Sequence, residues 1–168
     1  NLSNNIVLDY LRCENTGLSN LDLSNNTMLR YLYCDYNSLQ ALDLFNNTDI
    51  QRISCSNNLI DSLDLSFQHS LYELDAKNNQ LVFLDMKNGN NVNVSLFKTI
   101  NNPNLNCINV DDSTYSTNNW FDVDSHSYFS NNCYNLSNQN LTYVPDDNFE
   151  NYLEANGMGD GIALNDSV

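Results

Sequence analysis

Six apolar columns recur at a spacing of 21 residues over four successive copies. Leu8, Leu29, Ile50 and Leu71 form the first column, and Leu11, Leu32, Ile53 and Leu74 the second. Cys13, Cys34, Cys55 and Ala76 follow, then Leu18, Leu39, Ile60 and Leu81. Leu21, Leu42, Leu63 and Leu84 come next, and Leu23, Leu44, Leu65 and Met86 close the set. A unit this short cannot bury its own apolar edge. It must stack on a neighbour of the same shape, so a fixed period of this kind predicts a solenoid.

The spacing within a unit sets the local structure. In Leu-x-Cys and in Leu-Asp-Leu the apolar residues alternate, which is the period of a short strand. Between these stretches stand Asn37, Asn58 and Asn79, and the pairs Asn25-Asn26 and Asn46-Asn47. Asn tolerates left-handed backbone and hydrogen-bonds its own chain, so it belongs at turns. Thirty-four of the 168 residues are Asn, far above ordinary usage. Each coil is predicted to hold two short strands and two Asn corners, with coils stacked about 4.8 Å apart.

Leu29-x-x-Leu32-x-Cys34-x-x-Asn37-x-Leu39 matches the leucine-rich-repeat signature, and Leu39-x-x-Leu42-Asp43-Leu44 begins a second, nested copy. The pattern resembles the short 21-residue bacterial leucine-rich repeat and is similar to repeats in secreted surface proteins of Bacteroidetes-type bacteria. The resemblance covers residues 2 to about 110. It implies a mainly β, right-handed leucine-rich-repeat solenoid with short strands and Asn turns, which binds through its sheet faces. It also implies an extracellular or cell-surface setting, export by the type IX system, and association with outer-membrane secretion or surface machinery.

The predicted organisation has four parts. Residues 1–110 form about five coils. The fifth is out of register: Phe97 fills the Leu74 column, Leu105 that of Leu81, Ile108 that of Leu84 and Val110 that of Met86. The longer turn bulges on the convex side. Residues 111–134 lose the period and form a cap, with Trp120, Phe121, Tyr128 and Phe129 covering the last coil. Residues 135–145 are a polar linker. Residues 146–168 begin a second repeat module with a short helix. Asp146 after Pro145 starts it, Phe149, Tyr152 and Leu153 share a face, and Gly157 stops it. The chain starts mid-repeat, since Leu2-Ser3-Asn4-Asn5 copies Leu23-Ser24-Asn25-Asn26, and reads as a fragment of a longer, processed protein.

Charge narrows the function. The net charge is −15 with only six Lys and Arg, which disfavours nucleic acid and anionic membrane surfaces. No Gly-x-Ser-x-Gly, His-Glu-x-x-His or phosphate loop is present, and His69 and His126 stand in no nucleophile motif. A regular solenoid offers ridges rather than a water-excluding pocket, so no catalytic residue is assigned. No cofactor is expected. Calcium is the weak alternative, with Asp43 and Asp64 in the ladder Asp22, Asp43, Asp64 and Asp85, and with Asp111 and Asp112 beside Asp122 and Asp124. Like charges one coil apart should raise the pKa of the inner rungs. The plainer reading is a solvated strand position, since calcium needs six to eight oxygens around one point. Residues 156–166 glance at a calcium loop, but Ile162 follows Gly161 one position early.

Among the five Cys, Cys13, Cys34 and Cys55 point inward, one coil apart. They read as small apolar residues near disulfide reach of one another. Cys107 and Cys133 are the better pair, because a bond there closes a loop that lacks repeat stacking.

The repeat leaves the outward positions of the Leu-x-Cys strand free. Tyr10, Arg12, Arg30, Tyr31, Tyr33 and Arg52 cluster on the first three coils, and Glu73 and Asp75 continue the stripe. Tyr and Arg dominate binding hot spots, although exposed Tyr also simply suits strand surfaces. The expected function is non-catalytic recognition or adhesion through this face, with a protein or glycan ligand. The alternative is a spacer segment in a large surface protein.

Overall fold

The computed structural model describes residues 2–133. The linker expected at 135–145 and the truncated helical module expected at 146–168 lie outside the described residues, as do the calcium-like loop and its neighbours. What is described is a solenoid of short parallel strands in about six turns. On one side β1 (Tyr10–Arg12), β2 (Tyr31–Tyr33), β3 (Arg52–Ser54), β5 (Glu73–Asp75) and β7 (Leu96–Lys98) form a five-stranded sheet in that order. On the other, β4 (Ser62–Asp64), β6 (Phe83–Asp85), β8 (Cys107–Asn109) and β9 (Tyr128–Ser130) form a four-stranded sheet. Every pairing is parallel, and Leu11, Leu32, Ile53, Leu74 and Phe97 stand in one register.

The core is the set of repeat columns. Leu29, Leu32, Leu39, Ile50, Ile60, Leu71, Leu74 and Leu81 have no exposed surface or almost none. Each fully buried Leu or Ile contributes about 1.5–3 kcal/mol from removal of apolar surface from water.

The Asn corners work by backbone mimicry. Asn37 Nδ2 donates to the carbonyls of Cys13 (2.9 Å) and Cys34 (2.9 Å), and its Oδ1 accepts from Leu18 N (3.0 Å). Asn58, Asn79 and Asn102 repeat that arrangement, with Oδ1 accepting from Leu39, Ile60 and Leu81 N. One amide thus satisfies buried groups of two coils, which no other small side chain can do in that space. The opposite corner is less complete. Asn26, Asn47 and Gln68 donate to carbonyls of the preceding coil, but their amide oxygens have no partner among the described residues.

The register shift occurs as expected. Phe97 pairs with Leu74, two residues further on than Leu74 lies from Ile53, and Ile108 takes a third extra residue when it pairs with Leu84. A 3-10 turn at Asn91–Asn93 absorbs the first two, and Leu105 and Val110 are buried in their columns.

Two expectations about strands and cap need correction. The first two Leu-Asp-Leu stretches, around Leu21 and Leu42, form no strand, and no backbone hydrogen bond joins residues 20–23 to 41–44 among the described residues. The residue before the central apolar position differs between the two groups. It is Asn20 and Ala41 in the unpaired coils, and Ser62, Phe83, Cys107 and Tyr128 in the paired ones. Asn and Ala are poor strand formers, whereas the aromatic pair suits a pleated surface.

Residues 111–133 do not simply leave the repeat. They make a degenerate sixth coil, in which Asp122 bridges to Lys98 in parallel and β9 pairs with β8. A helix unforeseen in the sequence, α1 (Ser113–Asn119), replaces the regular corner, with Asp112 as its N-cap accepting from Thr114 and Tyr115 N. Trp120 stacks on Phe97 at 4.2 Å and meets Phe129 edge-on at 5.6 Å. Phe121 (75% exposed) and Tyr128 do not cover the core as expected. Trp120 and Phe129 cover it as expected.

Candidate functional site

β1, β2 and β3 bring the predicted Tyr/Arg stripe together. Parallel register puts Tyr10, Tyr31 and Arg52 in one row and Arg12, Tyr33 and Ser54 in the next. The ring of Tyr10 lies 6.0 Å from that of Tyr31 and 5.4 Å from that of Tyr33. Arg12 and Arg52 flank the Tyr33 ring at 5.5 and 5.2 Å, and Arg30 lies 5.7 Å from that of Tyr31. These are cation–π distances, each contributing about 0.5–1 kcal/mol at an exposed site.

Every arginine is also neutralised. Arg52 pairs with Glu73 at 2.7 Å, Arg12 with Glu14 at 2.7 Å, and Arg30 with Asp9. The Arg12 and Arg30 guanidiniums hold the Glu14 and Asp9 carboxyls below their ordinary range. Loss of water contact pushes the Tyr33 phenol up. Asp75 leaves the cluster to pair with Lys77 at 3.1 Å. The stripe is therefore an electrically balanced aromatic–guanidinium surface with a mixed-charge edge at Glu73 and Asp75.

Tyr36 was not foreseen. It has a φ of +55°, as do its counterparts Asn57 and Asn78 in later coils, with Asn15 at +54°. Asn accepts this left-handed backbone readily, whereas a bulky residue there costs on the order of 1–2 kcal/mol. Tyr36 is also 61% exposed, so burial does not repay the strain. The signal was present in the sequence as a Tyr interrupting a column of Asn.

The Asp ladder serves the fold. Asp22, Asp43, Asp64 and Asp85 each accept, through Oδ1, the backbone N–H two residues on, at 2.8–3.0 Å. At Asp22 the Ser24 hydroxyl and N–H hold the carboxyl below its ordinary value. Asp111 accepts from Gly89 N, Asp112 caps α1, and Asp124 accepts from Asn101 and Asn102 N. Among the described residues no three His, Cys, Asp or Glu side chains converge on a point that would hold a metal.

Cys107 and Cys133 form a disulfide, with Cα atoms 5.8 Å apart. Cys13, Cys34 and Cys55 remain thiols in one column. Burial pushes the Cys34 and Cys55 thiols far up, which makes them inert packing groups.

No protein-family model and no curated protein matches the chain. Among solved structures it is similar in fold to the functional domain of InlJ from Listeria monocytogenes, a leucine-rich-repeat protein whose structure is described as including a cysteine ladder. The TM-score is 0.55 at 24% identity, and the likeness covers 66% of this chain and 28% of that one. The chain therefore matches well under a third of that neighbour's length. The likeness supports the class of fold: a mainly β leucine-rich-repeat solenoid with its apolar columns inside.

Proposed function

We propose that the chain is a non-catalytic recognition module that binds a protein or glycan through the face formed by β1, β2 and β3. The carrying observation is the cluster of Tyr10, Tyr31 and Tyr33 interleaved with Arg12, Arg30 and Arg52. Rigid aromatics and ion-paired arginines present large contact area at low entropic cost on binding. Tyr36, strained and exposed three residues after β2, is assigned to the same surface in this reading, since backbone strain concentrates where function repays it.

The reading places the module outside the cell, on a bacterial surface of the Bacteroidetes type, exported by the type IX route and acting in adhesion. The disulfide suits an oxidising compartment. No helix among the described residues is long and apolar enough to cross a membrane. A spacer role is the second reading, favoured by the regular stacking of the coils.

Capture from host and bacterial surface extracts separates the two. The unaltered chain is compared with the Tyr31→Ala/Tyr33→Ala/Arg52→Ala variant and with Tyr36→Asn. Tyr36→Asn relieves the strained backbone, so it should raise stability by about 1 kcal/mol while weakening capture. A loss of binding in a more stable variant cannot come from unfolding. Equal capture by all three proteins would refute recognition through this face and leave the spacer.

A further inference from the structure

The Leu-Asp-Leu side of the first three coils carries two adjoining grooves that the recognition face does not use. The first, of about 320 Å³, runs between coils one and two and is lined by Leu21, Asp22, Ala41, Asp43 and Asn47. The second, of about 340 Å³, runs between coils two and three and is lined by Leu42, Asp43, Phe45, Asp61, Asp64 and Phe67. Ala41 and Asp43 border both. They open where, among the described residues, no backbone hydrogen bond joins residues 41–43 to a neighbouring coil.

Three features describe what would fill them. First, the charged lining is all carboxylate, from Asp22, Asp43, Asp61 and Asp64. Asp43 and Asp64 each spend only Oδ1 on their own turn. Asn47 is 1% exposed, its Nδ2 donates to Leu23 and Asn26 carbonyls, and its Oδ1 has no partner among the described residues. Second, none of the six Lys and Arg residues lines either groove, so the carboxylates have no internal counter-charge. Third, the second groove has an apolar lip. Phe45 and Phe67 meet edge-to-face at 5.1 Å, and both are exposed.

An apolar stem with a cationic, donor-only head fits all three. Lys and Arg side chains have this build, with alkyl carbons that lie on apolar surface and a charge that reaches acceptors. We infer that this side is a second docking surface, for a segment of a protein partner bearing arginine or lysine. It is independent of the Tyr/Arg face.

The test is fluorescence anisotropy of labelled hexa-arginine and hexalysine peptides with the whole chain. Asp43→Asn/Asp61→Asn is compared with Asp49→Asn/Asp122→Asn, which removes the same charge from exposed sites outside the grooves. Asn keeps the acceptor that the Asp43 turn needs, so the fold is preserved, as circular dichroism will check. Asp43→Asn/Asp61→Asn should weaken binding about tenfold and the control pair less than about twofold. Phe45→Ala/Phe67→Ala, which leaves the charge untouched, should weaken it about fivefold. Equal weakening by the two charge pairs would reduce the effect to the diffuse field of an acidic protein and overturn the proposal. So would no change on removing both Phe rings, or no binding by the unaltered chain below about 1 mM peptide.

Discussion

The two sides of this solenoid share one core but not one backbone. On the Leu-x-Cys side five strands pair without interruption from Tyr10 to Lys98, whereas on the Leu-Asp-Leu side pairing begins only at Ser62. The apolar columns are equally regular on both sides. Stacking of a core therefore does not by itself close a β-ladder. The outward residues also differ: Tyr and Arg flank the paired strands β1, β2 and β3, where Asn20 and Ala41 stand in the unpaired stretches.

The corners give the largest expected contrast. Asn58→Ala removes the bonds to Cys34 and Cys55 carbonyls and to Leu39 N, and should cost about 3–5 kcal/mol in urea unfolding. Asn47→Ala, at the other corner, loses an amide whose oxygen was already unpartnered, and should cost about 1–3 kcal/mol. Equal losses would mean that the two corners carry the same load and that the comparison fails.

The Leu-Asp-Leu sheet has its own anchor at the far end. The Cys107–Cys133 bond joins β8 to the segment after β9. Replacing both by Ser should cost about 2–4 kcal/mol. Hydrogen exchange should rise at Tyr128–Ser130 and stay unchanged in β1, β2 and β3. A uniform rise along the array would show that the bond supports the whole stack rather than one side.

The smallest effect belongs to the Leu-x-Cys side. Arg30 on the second coil pairs with Asp9 on the first, and the folded carboxyl sits below its ordinary value. A depressed carboxyl contributes stability that is complete above its unfolded pKa, about 3.9, and fades as pH falls through the folded value. Asp9→Asn should lower stability slightly at neutral pH and match the unaltered chain under strongly acidic conditions. A difference that persisted there would assign the effect to packing instead of charge.

The sequence disclosed most of the fold because its information is periodic. A column of Leu or Ile at one spacing names both the strand and its facing residue, and even the slip to Phe97 and Ile108 was readable from the apolar residues alone. The stripe of Tyr and Arg was readable for the same reason, since outward positions in register share a face. What stayed hidden depended on single residues. The stretches at Asn20–Leu23 and Ala41–Leu44 keep the apolar pattern of their paired counterparts and yet form no strand. Of the four aromatics expected over the last coil, Trp120 and Phe129 pack on it while Phe121 and Tyr128 face solvent, a choice that spacing outside the repeat does not encode. The grooves beside Ala41 follow from a missing hydrogen-bond ladder, and spacing does not encode that.

The change of step in the fifth coil has a hereditary meaning. Through the first four coils any whole unit can be copied or lost and every column stays aligned, so array length there is open to drift by unequal recombination. The 3-10 turn at Asn91–Asn93 and the extra residue near Pro103 end that equivalence. An exchange across them would throw Phe97 and Ile108 out of line. The aromatic end is thus fixed in place, like the stop on a ruler whose other divisions are interchangeable.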